Sequence, residues 1–270
     1  MTKKKADGEF LFEEYYSDYF GERWPLLREA LKLPVTHYSL HTHLQQAYFL
    51  DPASVRAALS LPITPKGTVL DMCAAPGGKT LVLASKLTSE SRLVSNEYSR
   101  ERRQRLLNVL DSHLDPILRS QITVTGYDAS RWSRYEKGSF DSILLDAPCS
   151  SERHVLSSPQ YLSQWTPSRI KNLAQRQWAL LSGAWLVLKE NGYLLYSTCA
   201  LSPRENDEVA HKLIKKYSDV EVIECNTNEI TGYEELPLGE KTKYGRHILP
   251  DTNPGAGPIY YVLFRKLVNN

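Results

Sequence analysis

The chain of 270 residues carries 33 lysine and arginine residues against 31 aspartate and glutamate residues, and its net charge of +2 does not by itself commit it to nucleic acid. No apolar run reaches the roughly 18 residues that a membrane-spanning helix needs, so no transmembrane segment and no membrane partner are predicted. The lysines near the N-terminus precede no apolar segment, so no targeting signal is predicted and a cytoplasmic protein is expected. Four scattered cysteines without a CxxC pair favour neither disulfides nor structural zinc.

The first 45 residues are predicted to form a helical extension that packs on a main domain spanning residues 46–270. Residues 9–33 alternate aromatic with charged side chains and then place leucine and alanine at helical spacing, and Pro34 ends this pattern. The next helical pattern covers residues 47–61. Its Asp-Pro pair at positions 51 and 52 suits the N-cap and the first helical position.

Three histidines lie between these helices, at positions 37, 41 and 43. No carboxylate or cysteine joins them at the spacing that a metal site requires, so no metal is predicted. A loop or a nucleic-acid contact surface is the favoured interpretation of this segment.

From residue 68 onward, patterns typical of strands and helices alternate. The predicted strands cover residues 69–72, 93–96, 121–125, 140–145, 192–196, 220–224 and 259–264, and the predicted helices cover residues 81–87, 99–111, 170–188 and 204–217. Repeated β-α units imply a mostly parallel sheet that binds ligands at the carboxyl ends of its strands. No long helix separates the last two strands, so the last strand should be antiparallel. Residues 225–258 are predicted to form a long loop.

The segment TVLDMCAAPGGKT, residues 68–80, reads as a strand, a Pro-Gly-Gly turn and the start of a helix. Glycine lets the backbone approach a ligand closely, and a helix N-terminus offers unpaired N–H groups. A plain strand-to-helix turn is the alternative. A phosphate-binding Walker A loop would need glycine at Cys73, and the dinucleotide fingerprint GxGxxG is absent. A nucleoside-type cofactor without a pyrophosphate remains, and S-adenosylmethionine fits that description.

Two acidic residues follow the second and third predicted strands. Glu97 lies about twenty residues after the glycine loop, where this fold places an acid that binds ribose hydroxyls. Asp128 is placed to meet an adenine amino group or its surroundings, although either residue could cap a helix instead. Together with the loop, they predict a nucleoside pocket.

The fourth and fifth predicted strands deliver two thiols to the same edge of the sheet. The fourth ends in Asp146 and Cys149, and the fifth ends in Cys199. Free cysteines are often buried as packing residues. Here both lie where this fold carries out its chemistry, which favours a catalytic role.

The chain resembles the RNA 5-methylcytosine methyltransferases of the Nol1/Nop2/Sun (RsmB/NOP) family over residues 45–267. The matching motifs are DMCAAPGGKT, LLDAPCS, YSTCALSPREND and GRHILPDTNPGAGPIYYVLFRK. The resemblance implies a Rossmann-like class I S-adenosylmethionine-dependent α/β fold, with a mostly parallel seven-stranded sheet and an antiparallel last strand. It implies an S-adenosylmethionine pocket lined by Cys73, Ala74, Ala75, Pro76, Gly77, Gly78, Lys79, Glu97, Asp128 and Asp146.

The resemblance also implies that Cys199 is the nucleophile, that Cys149 assists its release, and that Asp146 interacts with the N3 side of cytosine. A thiolate added to C6 makes the poorly nucleophilic C5 enamine-like. Because a free thiol is only a few per cent ionised near neutrality, Cys199 should be activated by its surroundings. The chain departs from many members in having Ser151 after the DAPCS motif and Glu97 in place of aspartate. The string CSSERH is most similar to the branch that contains the mitochondrial small-subunit ribosomal RNA enzyme.

The implied substrate is structured RNA, because the target base must leave its stack. Four arginines between residues 100 and 105 are favoured as a solvated face, whereas Arg153 and His154 are the better candidates for RNA contact. No second RNA-binding domain is visible. We therefore expect a monomer that acts on ribosomal RNA presented by an assembling subunit, or with a protein partner that supplies affinity. Transfer RNA is the alternative substrate, and a non-catalytic ribosome assembly factor is the alternative function.

Overall fold

The computed structural model describes residues 7–134, 137–225 and 233–268. Its helices are α1 (Gly8–Phe20), α2 (Trp24–Lys32), α3 (Pro52–Leu59), α4 (Gly78–Ala84), α5 (Arg100–His113), α6 (Pro116–Ser120), α7 (Glu152–Leu156), α8 (Pro159–Ser163), α9 (Pro167–Val187) and α10 (Asp207–Lys216). Its strands are β1 (Tyr38–Leu40), β2 (Tyr48–Leu50), β3 (Thr68–Asp71), β4 (Arg92–Asn96), β5 (Ile122–Thr125), β6 (Phe140–Asp146), β7 (Leu188–Thr198), β8 (Val220–Ile223), β9 (Glu240–Lys241), β10 (Arg246–Ile248) and β11 (Ile259–Lys266). Short 3-10 turns cover Gly21–Arg23 and Ala129–Arg134.

One sheet organises the main domain. Its strand order is β5-β4-β3-β6-β7-β11-β10-β9, and β8 pairs with β11 beside β10. Strands β3 to β7 are parallel neighbours, whereas β11 runs antiparallel to β7 and β8. All seven predicted strands form, and the antiparallel last strand is confirmed. The carboxyl ends of β3, β4, β6 and β7 therefore meet at one edge, as the α/β pattern requires.

The sheet has nine strands in the described residues, two more than predicted. The extra strands β9 and β10 lie in the segment that was expected to be a loop, where Arg246 pairs with Tyr261 and His247 with Tyr260. At two and three residues they are too short to give a period along the chain. Their pairing depends on β11, which the preceding sequence cannot reveal.

The segment between α2 and α3 also differs from the prediction. Residues 38–40 and 48–50 form an antiparallel pair in which Tyr38 lies opposite Leu50, so residues 47–50 are not helical. The helix begins only at Pro52, where the Asp51 side chain accepts a 2.7 Å hydrogen bond from the amide of Ala53. The predicted N-cap is confirmed, and it marks the true start of the helix.

Both faces of the sheet are buried, as parallel strands require. Val69 and Leu70 are neighbours on β3, and both are completely buried, Val69 with the α3, α4 and α5 side and Leu70 with the α9 and α10 side. No helix in the described residues is long and apolar enough to cross a membrane. The residues at the carboxyl ends of the strands are therefore carried by a sheet that is buried on both faces.

The two N-terminal helices bury an aromatic cluster against the segments that follow β6. Phe12 and Tyr16 of α1 and Trp24 of α2 are buried with Trp165, and the Phe12 and Trp165 rings meet edge-on at 5.3 Å. Phe12, Tyr16 and Trp24 are thus the aromatic residues of the alternating pattern that pack against the main domain. The boundary near residue 45 between extension and domain stays a prediction.

Replacing Phe12 should show how much this cluster stabilises the fold. We expect Phe12→Ala to lower the free energy of unfolding by about 3–5 kcal/mol, because it removes a fully buried ring and leaves a cavity. Phe10→Ala is the matched control, since that ring is 61% exposed and its loss should change stability by less than about 0.5 kcal/mol. Urea denaturation of both variants measures the difference. Equal effects would contradict the packing described here.

Candidate active site

The loop between β3 and α4 follows the prediction closely. Gly77 adopts φ +122°, a conformation that a residue with a side chain rarely adopts, and a Cβ there would lie 3.0 Å from the Val109 side chain. The loop is anchored by Thr80, whose hydroxyl donates a 2.6 Å hydrogen bond to Asp71 Oδ2. Asp71 is buried, which raises its pKa to about 7, and its Oδ1 has no partner among the described residues. An acceptor is thus left available inside the site.

One cleft opens on the α3 side of this loop. Lys79 donates a 2.8 Å hydrogen bond to Asp146 Oδ2, and Ser197 donates one of 2.9 Å to Asp146 Oδ1. Burial lowers the pKa of Lys79, but attraction to Asp146 outweighs it and the net shift is upward. The cleft thus contains a fixed ion pair at its floor. Its lining includes Tyr48, Leu50, Ser54, Asp71, Cys73, Ala74, Ala75, Pro76, Gly78, Lys79 and Asp146.

A second cleft opens on the other side of the loop. Its polar wall is Glu97, whose carboxylate lies 3.2 Å from the Arg102 guanidinium, and Arg102 also donates to the carbonyl of Ala75 at 2.7 Å. Asp128 faces the same cleft and accepts hydrogen bonds from the amide and hydroxyl of Ser130, so it also caps the 3-10 turn. Cys73 lines both clefts, and burial raises its pKa.

The two thiols from the ends of β6 and β7 lie in contact. Cys149 Sγ and Cys199 Sγ are 2.7 Å apart, and the Cys199 amide donates a 3.2 Å hydrogen bond to Cys149 Sγ. The contact with Cys199, together with burial, raises the pKa of Cys149 well above its usual range. Lys79 interacts electrostatically with Cys199 as well as with Asp146, so a thiolate at Cys199 has a cation within reach. The structure therefore brings together a thiol pair, a carboxylate and an ammonium group.

A sequence profile of the family described as 16S rRNA methyltransferase RsmB/F matches residues 58–265. The chain belongs to this family. Its predicted membership in the Nol1/Nop2/Sun group is thereby confirmed.

Curated relatives extend the likeness. The chain is 32% identical over 228 residues to the 5-cytosine rRNA methyltransferase NSUN4 of Bos taurus, covering 81% of this chain and 59% of that protein. It is also 32% identical over 228 residues to a mitochondrial tRNA (cytosine(34)-C(5))-methyltransferase of Danio rerio, covering 83% of this chain and 62% of that protein. The chain thus spans about three-fifths of each relative.

A solved structure supports the fold. The crystal structure of a methyltransferase homologue protein from Pyrococcus horikoshii superposes with a TM-score of 0.73 at 23% identity, covering 95% of each chain. The methyltransferase fold predicted for this family member is confirmed.

Arg153 makes its hydrogen bonds within the protein, and its contact with RNA stays a prediction. Its half-buried guanidinium donates hydrogen bonds of 2.7–3.0 Å to the carbonyls of Leu31, Leu33 and Gly257, which ties α2 to the segment before β11. His154 is exposed, and its ring lies 5.1 Å from that of Tyr161. Of these two residues, His154 is the more exposed.

Three arginines of α5 form hydrogen bonds or ion pairs within the protein. Arg102 and Arg103 bond to the region of Glu97, and Arg105 pairs with Glu101 one turn away. Arg100, Arg102 and Arg105 are exposed, as expected of the solvated face that the sequence favours. Sequence reasoning missed Arg102 as a cleft residue, although its position five residues after Glu97 at a helix start was the available signal.

Two other residues of the first cleft have no pattern in the neighbouring sequence that would predict their place in the site. Tyr48 and Ser54 line the first cleft, but they lie in segments that reach it only through packing of β2 and α3. Among the described residues, no group of three histidine, cysteine or carboxylate side chains could hold a metal ion. His41 instead contacts the Ser39 hydroxyl at 2.8 Å.

Proposed function

We propose that the chain transfers a methyl group from S-adenosylmethionine to C5 of a cytosine in RNA through a covalent adduct with Cys199. The observation that carries this proposal is the contact between Cys149 and Cys199 beside the ion pair of Lys79 and Asp146. Methylation of an oxygen or an amine would need no thiol. A pair of thiols at the carboxyl edge suits a ring carbon that must first be activated by nucleophilic addition.

The two clefts fit S-adenosylmethionine. Glu97 would accept hydrogen bonds from ribose hydroxyls, Asp128 would lie near the adenine, and the loop from Cys73 to Lys79 would hold the remainder, with Asp146 at its edge. The unpartnered Oδ1 of Asp71 suits an amino group such as the methionine portion carries. When bound, the sulfonium supplies an electrophilic methyl group.

Cys199 acts first on the base. Its thiol loses a proton to solvent, its sulfur bonds to C6, and the electron pair of the C5–C6 double bond moves to C5, where it forms the bond to the methyl group. The C5 proton then leaves to a base beside the ring, and the electrons of that C–H bond restore the double bond and expel the sulfur. Cys149, whose Sγ lies 2.7 Å from that of Cys199, would assist this release.

Asp146 and Lys79 would prepare the ring for addition. A carboxyl at the N3 side of cytosine helps the ring accept electrons, and Asp146 is held in one orientation by Lys79 and Ser197. Lys79 also offsets the charge of a thiolate at Cys199. Asp146 and Lys79 would thus favour both formation of the bond between Cys199 and C6 and its later cleavage, when the sulfur leaves as a thiolate.

Glu97 offers a test of the cofactor site. We expect Glu97→Gln to weaken S-adenosylmethionine binding roughly tenfold, about 1.4 kcal/mol, because it removes a charged acceptor and its pairing with Arg102. Isothermal titration calorimetry measures this change. Glu101→Gln is the matched control. Glu101 pairs with Arg105 on the exposed side of α5, the helix that also carries Arg102. Equal affinities for both variants would contradict the assignment.

The proposed substrate is structured ribosomal RNA, which the family description and NSUN4 support. Transfer RNA is the second candidate, favoured by the likeness to the Danio rerio enzyme. A ribosomal subunit or a protein partner that presents the RNA, a monomeric state and a cytoplasmic location remain part of the proposal. His154 and Tyr161 form an exposed ring pair beside the segment of Cys149, where an unstacked base could bind.

Bisulfite sequencing of total RNA from cells with and without the gene tests the function directly. Loss of one cytosine signal would name both the RNA and the position. An unchanged map would overturn the proposal and favour an RNA-binding assembly factor without catalysis.

A further inference from the structure

Two glutamates that the reaction does not use lie behind the thiol pair. Glu152 begins α7, Glu205 lies before α10, and both are completely buried. No lysine, arginine or histidine forms an ion pair with either one among the described residues. Burying an ionised carboxylate without a cation costs free energy, so the two carboxyl groups must be stabilised by hydrogen bonds or by protonation.

The hydroxyl of Ser150 joins the two carboxyl groups. It lies within hydrogen-bond distance of Glu152 Oε1 and of Glu205 Oε2. Glu205 Oε1 accepts from the amide of Ser150 at 3.0 Å and from Gln177 Nε2 at 2.8 Å. Glu152 accepts from the amide of Leu201 at 2.9 Å and from the hydroxyl of Tyr16. We call these residues the carboxyl cluster: Tyr16, Ser150, Glu152, Gln177 and Glu205.

The hydrogen-bond count requires a proton in this cluster. A serine hydroxyl has a single hydrogen and can donate to only one of the two carboxyl oxygens that it contacts. If both carboxyl groups were ionised, the other contact would join two acceptors with no hydrogen between them. One proton on the pair resolves this, since a protonated Glu205 donates to Ser150 Oγ, which in turn donates to Glu152.

The carboxyl cluster also fixes both cysteine segments. Ser150 adjoins Cys149, and Gln177 bonds to the carbonyl of Pro148 at 2.9 Å as well as to Glu205. On the other side, Leu201 lies two residues after Cys199 and bonds to Glu152. The two segments that carry the thiols are therefore held to one shared group.

We propose that Glu152 and Glu205 share one proton through Ser150 and that this pair is a positioning unit which keeps Cys149 against Cys199. The inference rests on the proposed function for its catalytic consequence. Helix α1 of the N-terminal extension completes the unit by supplying Tyr16. Loss of the shared proton would place two like charges about Ser150 and loosen the cysteine segments.

The shared proton should titrate near neutrality. Burial and then the charge of Glu152 raise the pKa of Glu205 to about 7. Because this folded-state pKa lies above that of an unfolded glutamate, the stability from the proton is present at low pH and is lost as pH rises through 7. The titratable groups that face the cluster are Tyr15, Tyr16, Cys149, Glu152, Arg169, Tyr196 and Arg204.

Glu205→Gln tests this, because an amide keeps the acceptor for Ser150 N–H and donates to Ser150 Oγ at every pH. Between pH 5.5 and 8.5 the wild-type unfolding constant should rise roughly 30-fold more than that of Glu205→Gln. Asp71 titrates in the same range and cancels in this comparison. Glu208→Gln, exposed on α10, is the control and should follow the wild type.

The rate at which the covalent RNA adduct is released measures the effect of the shared proton on catalysis. In the wild type it should slow above pH 7, and in Glu205→Gln it should stay nearly constant. Equal pH dependence of stability in both proteins would overturn the shared proton. If Glu205→Gln fails to fold, the ¹³C chemical shift of the Glu205 carboxyl in the wild type decides: it should titrate near pH 7, and a carboxylate shift that stays constant from pH 5.5 to 8.5 would overturn the shared proton. If stability depends less on pH in Glu205→Gln than in the wild type by the expected roughly 30-fold, while the wild type transfers no methyl group, the proposed function is refuted and the shared proton is kept.

Discussion

Cys199→Ala is expected to abolish methylation of cytosine, lowering the rate at least roughly 1000-fold, because without this sulfur no bond can form at C6 and C5 stays unreactive. The variant should fold, since the side chain is only half-buried and alanine introduces no new polar group. Transfer of labelled methyl groups from S-adenosylmethionine to RNA measures the loss. Binding of the cofactor should be unchanged.

Cys225→Ala is the matched control for this experiment. Cys225 is half-buried like Cys199, but it lies after β8 and outside both clefts. It should therefore retain the wild-type rate. Wild-type methylation by Cys199→Ala would exclude the proposed nucleophile.

Cys149→Ala is expected to accumulate a covalent protein–RNA adduct that survives denaturant. Cys199 can still add to C6 in this variant, but the thiol that contacts it and assists its release is missing. Most of the protein should migrate with RNA in a denaturing gel after incubation with substrate, and turnover should fall by roughly 100-fold or more. A Cys149→Ala enzyme that turns over normally without an adduct would disprove the division of roles between the two thiols.

The double variant Cys149→Ala/Cys199→Ala separates this adduct from any other cross-link. It retains the clefts and the ion pair of Lys79 with Asp146, yet it lacks the sulfur that attacks C6. No adduct should form. An adduct of equal yield would assign the covalent bond to a different residue.

The regular part of the fold was predictable because its signal is local. Seven strands of the main sheet follow from apolar runs, and the Asp-Pro pair marks the start of α3. The strands β1, β2, β9 and β10 escaped prediction because each has three residues or fewer and exists only through a partner strand. Pairing of this kind depends on contacts that are distant along the chain.

Arg153 illustrates the same limit for a single side chain. Its charge and its position beyond Cys149 favoured RNA contact, whereas its guanidinium binds carbonyls that lie 104 and 120 or more residues away. A charged side chain has the same sequence signature whether it faces solvent or satisfies buried carbonyls. Only the folded backbone decides between these two environments.

The α/β fold, the glycine loop and the position of Asp146, Cys149 and Cys199 at one edge of the sheet follow from the amino-acid sequence, because strand periodicity and parallel topology dictate where the strands that precede these residues end. The tertiary structure alone decided which atoms meet there. It brought Lys79 to Asp146, set the two sulfurs 2.7 Å apart, and enclosed Glu152 and Glu205 around one hydroxyl. Such contacts join residues up to 67 positions apart, and packing geometry rather than local pattern creates them.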